Sequence, residues 1–178
     1  MTDFKIKKVT LNDIDQLQII GRQTFYETFS ESNNESDMNA YFAENNNSEK
    51  LKNELNNPNS KFFFANSNQK PIGYLKLNFN NAQTEINDPN AMEIERIYVL
   101  KTFQNKKVGQ ILLDKAIEIA EQFGVNKNKL YMFTQKIRWG FLACGRIARK
   151  FAVERDKGIC QLCKHFIGNS ISVHHIKP

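Results

Sequence analysis

Glu95-Arg-Ile-Tyr-Val-Leu-Lys-Thr-Phe-Gln104-Asn-Lys-Lys-Val-Gly109-Gln-Ile-Leu-Leu113 is the stretch on which the fold turns. Its first part is rich in β-branched and aromatic residues, as strands are. Its last part opens a helix: Val108, Ile111, Leu112, Ala116, Ile119 and Ala120 recur on one face, and Gly124 marks the stop. Between them lies a short loop. A helix start presents unpaired N–H groups and about half a positive charge, so an anionic phosphate is stabilised there. Gly109 lets the backbone approach closely, and Lys106 and Lys107 add charge. A solvated strand-to-helix loop would carry the same loose glycine spacing, so the neighbouring elements have to decide between the two.

Working outward, Phe4 to Val9 alternates as a short strand, and Thr10 or Asn12 caps a helix that runs to about Phe29. Ile14, Leu17, Ile20, Phe25 and Phe29 keep roughly helical spacing on its inner face. Met38 to Glu44 and Ser48 to Leu55 are two shorter helices parted by Asn45-Asn-Asn, and Pro58 ends the pair. Lys61 to Ala65 and Ile72 to Phe79 form a hairpin across Asn66-Ser-Asn-Gln-Lys-Pro. A polar loop from Asn80 to Asn90 leads to a strand over Glu93 to Leu100, and Lys129 to Phe133 makes one more strand.

This order of strand, helices, hairpin, strand, loop, helix and strand resembles the GCN5-related N-acetyltransferase (GNAT) superfamily over residues 4 to about 131. Gln23-Thr-Phe-Tyr-Glu-Thr-Phe, Asp37-Met-Asn-Ala-Tyr and Ile72-Gly-Tyr-Leu-Lys-Leu look like its bacterial spermidine/spermine-type subgroup. The family's Gln/Arg-x-x-Gly-x-Gly/Ala loop stands here as Gln104-Asn-Lys-Lys107-Val-Gly109, with Lys107 in place of the first glycine. The resemblance implies an α/β fold with a central mixed sheet flanked by helices, and acetyl-CoA as cosubstrate. Ile97, Tyr98 and Val99 would hold its thioester and pantetheine arm through their backbone. Gln104, Asn105, Lys106, Lys107, Val108, Gly109 and Gln110 would cradle its diphosphate. An ordinary helical backbone at Lys107 would still offer its N–H.

A general base must take the proton of an attacking amine, directly or through water. Glu93 or Glu95 serves if it faces the cleft; their spacing of two puts both on one side of a strand, with Ile94 and Arg96 opposite. Either is equally a surface carboxylate. Phe25, Tyr26 and Phe29 either line an amine pocket or are simply core. The implied acceptor is a small amine, a polyamine by subgroup likeness alone.

The chain changes character near residue 130. Residues 1–126 hold 14 Lys+Arg against 17 Asp+Glu, whereas residues 127–178 hold 11 against 2. All three Cys, all three His and the only Trp fall in the latter part, with 2 of the 22 Asn. We therefore divide the chain into a domain over 1–134 and a basic tail over 135–178. Family members continue with a strand-end Asn, a helix carrying a Tyr that protonates the leaving thiolate, and closing strands; none of these is legible here. Lys136 to Phe151 instead resembles the first turn of a Rossmann oxidoreductase, as Ala143-x-Gly145-x-x-Ala148, but the chain ends before a second strand could bring an acidic residue. Arg155 to Pro178 resembles the start of an HNH nuclease, which implies His175 as the water-activating residue and His174 as a holder of a divalent metal; Cys160 and Cys163, with His165 or His174, would make a partial zinc set. Such a tail would attract nucleic acid nonspecifically, or it is a composite end without a function of its own. An open sheet edge would invite dimerisation unless residues 138–152 cover it. Met1 to Lys8 has no apolar leader, and no run reaches the roughly 18 apolar residues of a membrane span, so a cytoplasmic protein is expected.

Overall fold

The structure, a computed structural model, describes residues 4–31, 33–84, 88–125 and 130–132. Strand β1 (Lys5–Lys8) leads through a 3-10 turn, Leu11–Asp13, into α1 (Ile14–Phe29); α2 (Glu35–Asn45) and α3 (Ser48–Asn56) follow. The hairpin is β2 (Ser60–Ser67) and β3 (Lys70–Phe79), then come β4 (Met92–Val99), α4 (Val108–Gln122) and β5 (Leu130–Met132). The sheet runs β1-β2-β3-β4-β5; the first four strands are antiparallel, and β5 lies parallel to β4. This is the mixed sheet flanked by helices that was expected.

Short polar side chains set the boundaries. Asp13 accepts from both the N–H and the Oγ1 of Thr10, at 2.9 and 2.8 Å, and so fixes the entry into α1. The Asn45-Asn46-Asn47 break is real, and Asn47 starts α3 by accepting from the Lys50 N–H at 2.8 Å. Asn46 is buried and holds α1 from the other side, giving its Nδ2 to the Gln18 carbonyl while its own carbonyl takes the Gln18 Nε2. The hairpin is tighter than expected. Asn68 and Gln69, both with positive φ, make a two-residue turn, so the strands reach Ser67 and Lys70 instead of stopping at Ala65 and Ile72.

The sheet separates two apolar layers. Against α4 lie Phe63, Leu75, Leu77, Met92 and Ile94, meeting Val108, Leu112, Leu113 and Ala116. Each large side chain buried there contributes about 1.5–3 kcal/mol. Against α1 and α3 lie Phe62, Phe64 and Tyr74, meeting Leu17, Ile20 and Leu51. Gly73 permits β3 to lean on β4, since a Cβ there would stand 2.7 Å from the Tyr98 carbonyl oxygen.

One irregularity positions everything that follows. Lys76 pairs with Arg96 but Leu77 pairs with Ile94, so Glu95 is an extra residue, a β-bulge in β4. The expectation that Arg96 lies opposite Glu95 is thereby corrected. The bulge inverts the alternation, and both side chains fall on the α3 side, where both bond Glu54 or Lys76.

Candidate functional site

The bulge coincides with a parting of strands. Among the described residues β5 pairs with β4 only from Met92 to Ile94, and beyond the bulge the β5-side edge of β4 has no strand beside it. The Leu100 N–H donates to the Ile72 carbonyl at 2.9 Å. Residues two apart in an antiparallel ladder aim their amides the same way, so Tyr98 also turns its N–H and C=O toward β3. Ile97 and Val99 turn theirs to the open edge, and the Val99 carbonyl is met there by Gln104 Nε2 at 3.3 Å. Of the three backbones expected to hold a thioester arm, Ile97 and Val99 are available. Tyr98 is not, for its groups belong to the ladder.

The loop continues from this edge. After a 3-10 turn, Lys101–Phe103, Asn105 has φ 62° and Lys107 has φ 65° and ψ 8°. Lys107 is therefore left-handed, correcting the expectation of ordinary helical geometry. The position asks for glycine and holds lysine in it, at a cost of roughly 1 kcal/mol. No side chain caps α4. Among the described residues none accepts from the N–H groups of Asn105 through Gln110, whereas Ile111 is the first to bond back, to the Lys107 carbonyl at 3.1 Å. Lys106 rests its ammonium 4.9 Å from the centre of the Phe103 ring, and Lys107 is exposed. Glu27 Oε2 on α1 accepts from the Lys101 N–H at 2.6 Å, joining this loop to the opposite layer.

On the α3 side of the bulge sits a network of buried charge. Glu54 takes Arg96 in a two-pronged bond, 3.0 and 2.9 Å, and also Lys76 Nζ at 2.8 Å. Glu95 takes Arg96 at 2.9 Å, and also Lys76. Burial pushes the Glu95 carboxyl up, but Arg96 and then Lys76 outweigh it and hold the group below its ordinary value. Burial likewise works against the charge on Arg96, and Glu95 and Glu54 reverse it, leaving the guanidinium firmly protonated. Arg96 Nε has no acceptor among the described residues.

Glu93 is fully buried. It accepts from Asn78 Nδ2 at 3.1 Å and from the Thr84 N–H at 2.9 Å, and it also takes the Thr84 hydroxyl. It does not face a cleft, which corrects that half of the expected carboxylate pair. Glu95 does: with Arg96 and Lys76 it forms one wall of a cavity of about 770 Å³, and Glu54 reaches them from α3. The far wall is α3 and its flanks, which sequence reasoning had read only as helix and loop.

The aromatic residues of α1 lie elsewhere. Phe25 is buried, stacked on Tyr41 at 4.1 Å and packed against Phe29 and Phe42. Tyr26 is 53% exposed on the outer face. Among the described residues none of Phe25, Tyr26 and Phe29 lines the large cavity, and Phe25 borders a small hollow beside Tyr98 and Arg96. Cys160, Cys163, His174 and His175, with both tail resemblances, lie outside the described residues. Among the described residues no cluster of His, Cys, Asp and Glu could hold a metal, and no helix is long and apolar enough to cross a membrane.

Comparison with known proteins bears on the same region. The acetyltransferase (GNAT) family model matches residues 22–145, reaching past Lys136 into the segment assigned above to the tail. An uncharacterized N-acetyltransferase in the pepI 3′ region of Lactobacillus delbrueckii subsp. lactis is 40% identical over 118 residues, 66% of this chain and 68% of that protein. Spermidine N(1)-acetyltransferase of Thermoplasma acidophilum is 25% identical over 135 residues, 74% of this chain and 79% of that protein. Among solved structures, the PaiA N-acetyltransferase of Thermoplasma acidophilum in complex with coenzyme A superposes with a TM-score of 0.60 at 24% identity, covering 69% of this chain and 75% of that one, an agreement of fold.

Proposed function

Since the chain belongs to the acetyltransferase (GNAT) family, we propose that it uses acetyl-CoA to acetylate a small primary amine. The observation that carries this reading is the meeting of two backbone surfaces: the open edge of β4 at Ile97 and the Val99 N–H, where only the Val99 carbonyl is taken, by Gln104 Nε2, and the N–H groups of Asn105 through Gln110 at the start of α4, which among the described residues have no acceptor. The first suits an amide-bearing arm lying along the strand as a short extra partner. The second suits a diphosphate, with Lys106 and Lys107 alongside.

Acetyl-CoA supplies a thioester: the amine nitrogen bonds the carbonyl carbon, the C–S bond breaks, and the proton lost by nitrogen is balanced by one gained at sulfur. The chain's own part is to align the arm, hold the amine within reach and remove its proton. Glu95 is placed for the last task through an intervening water, since it lines the cavity and stays ionised at neutral pH. Glu93 positions Thr84 and Asn78 and does not touch the substrate. Glu95 is ionised throughout the neutral range, so its own protonation does not shape the pH profile there. We therefore expect kcat/KM to climb with pH until the acceptor's own amine is neutral, with no inflection at a carboxylate value.

Polyamine is one acceptor of this class, suggested by the name of the Thermoplasma relative. Calorimetric titration with acetyl-CoA tests the core of the proposal. Binding at micromolar concentration is expected, and no heat at millimolar concentration would remove it.

A further inference from the structure

Gln23 and Glu27 lie one turn apart on α1, in the stretch whose Phe25 and Phe29 pack together. Gln23 Nε2 donates to Glu27 Oε1 at 3.0 Å, and the Lys101 N–H donates to Glu27 Oε2 at 2.6 Å. Both carboxylate oxygens are thus engaged, one by the same helix and one by a residue 74 positions away. The N–H held in this way opens the 3-10 turn Lys101–Phe103, and Leu100 before that turn supplies no side-chain cap. Glu27 caps it from another layer of the fold. A carboxylate accepting from a backbone N–H makes a bond roughly twice as strong as a neutral pair.

The loop needs such a hold. Asn105 and Lys107 have left-handed backbones without being glycine, a geometry that persists only where the surroundings impose it. The N–H groups of Asn105 through Gln110 find no acceptor among the described residues, so the direction in which they point depends on that backbone. Phe103 sets its ring edge-on to Phe4 at 6.4 Å, and Glu31 stands 3.7 Å from the Lys101 ammonium, but both are side-chain contacts. Among the described residues the Glu27 bond is the only hydrogen bond that fixes the backbone of residues 101–106 from another element. We infer that Glu27 is a positioning residue for acetyl-CoA. By holding the Lys101 amide it keeps the loop in the shape that aims the Asn105–Gln110 N–H groups at the diphosphate, and Gln23 braces its carboxylate for that task. The inference rests on the acetyltransferase reading and deepens it.

Amide NMR titration of the full chain, which reads millimolar as well as micromolar affinity, tests this with two ligands. One is acetyl-CoA; the other is S-acetylpantetheine, which keeps the thioester arm and lacks the diphosphate. Glu27→Ala should weaken acetyl-CoA by at least about ten-fold and leave S-acetylpantetheine within about two-fold of the parent. Glu27→Gln keeps an oxygen for Lys101 without the charge, and should weaken acetyl-CoA by about three-fold with the same selectivity. A Glu27→Ala variant that binds acetyl-CoA like the parent overturns the inference. So does one that loses both ligands equally, the mark of a merely structural role; if Glu27→Ala does not fold, Glu27→Gln decides by the same criteria. S-acetylpantetheine without effect on the parent overturns it too, because the selectivity then has no basis, whereas acetyl-CoA without effect on the parent removes the acetyltransferase reading itself.

Discussion

Strands β3 and β4 bury two very different surfaces. Toward α4 they present Leu75, Leu77, Met92 and Ile94; toward α3, the same strands bury Lys76, Asn78, Glu93, Glu95 and Arg96 just as deeply. The first surface is held by area removed from water, which is indifferent to direction. The second is held by pairing, and it tolerates burial only because the partners are present and correctly aimed. The difference teaches where this protein can drift in sequence. Volume must be kept on one side, and the count of opposite charges on the other.

Removing one member of the charged layer should therefore have the largest effect. Glu95→Ala leaves Lys76 and Arg96 to share Glu54, and a loss of about 3–5 kcal/mol is expected in urea denaturation. The double variant Lys76→Met with Glu95→Leu breaks the comparison more sharply. It leaves Arg96 paired with Glu54 alone, and its cost should be at least 2 kcal/mol smaller than that of the single change. Equal costs would mean that shape, not charge balance, governs this side too.

On the apolar side, Leu77→Ala should cost roughly 3 kcal/mol by the same measurement, with no dependence on pH between 4 and 8. The charged side does depend on pH. The folded Glu95 carboxyl sits below its unfolded value, so its contribution is complete above about pH 5 and is lost as pH falls through the folded value. Asp13 behaves alike: burial raises it, but its bonds to Lys7 and Thr10 prevail. Acid unfolding of Leu77→Ala should keep the parent's pH slope, and that of the double variant should be shallower.

The smallest effect belongs to the loop. Lys107→Gly relieves a left-handed backbone and should raise stability by up to about 1 kcal/mol, partly offset by the freer unfolded chain. Acetyl-CoA affinity should be held or improved in calorimetry, because the change keeps the backbone N–H and loses only one exposed ammonium.

Periodicity made much of this legible. The α4 stripe, the Asn45-Asn46-Asn47 break and the order of strands all follow from spacing and turn chemistry, and the family resemblance rested on them. Alternation failed at Arg96 because a bulge is a property of strand pairing; nothing in the run from Met92 to Val99 shows that one residue is unpaired. Nor could β4 alone reveal that its charged residues are buried, since Lys76, which pairs with Glu95, lies on β3, and Glu54, which pairs with Arg96, lies 42 residues away. The absence of glycine at Lys107 was visible, but whether the chain would keep the demanding backbone geometry was not. The asparagine-lined cavity was hidden in plain composition. Asn45, Asn47, Asn53, Asn57 and Asn81 lie in helices, a cap and loops, and only the fold shows that they line one cavity.

Glu27 ties the loop before α4 to the aromatic cluster between α1 and α2. Its carboxylate grips the Lys101 amide from the last turns of α1, and those turns are packed through Phe25 into the ring stack with Tyr41 and Phe42. Lys101 is thus held twice from this end of α1, by its amide on Glu27 and by its ammonium 3.7 Å from Glu31. A ligand that drew the loop inward would therefore pull on the same carboxylate that marks the last turns of α1, one turn from the Phe25 stack.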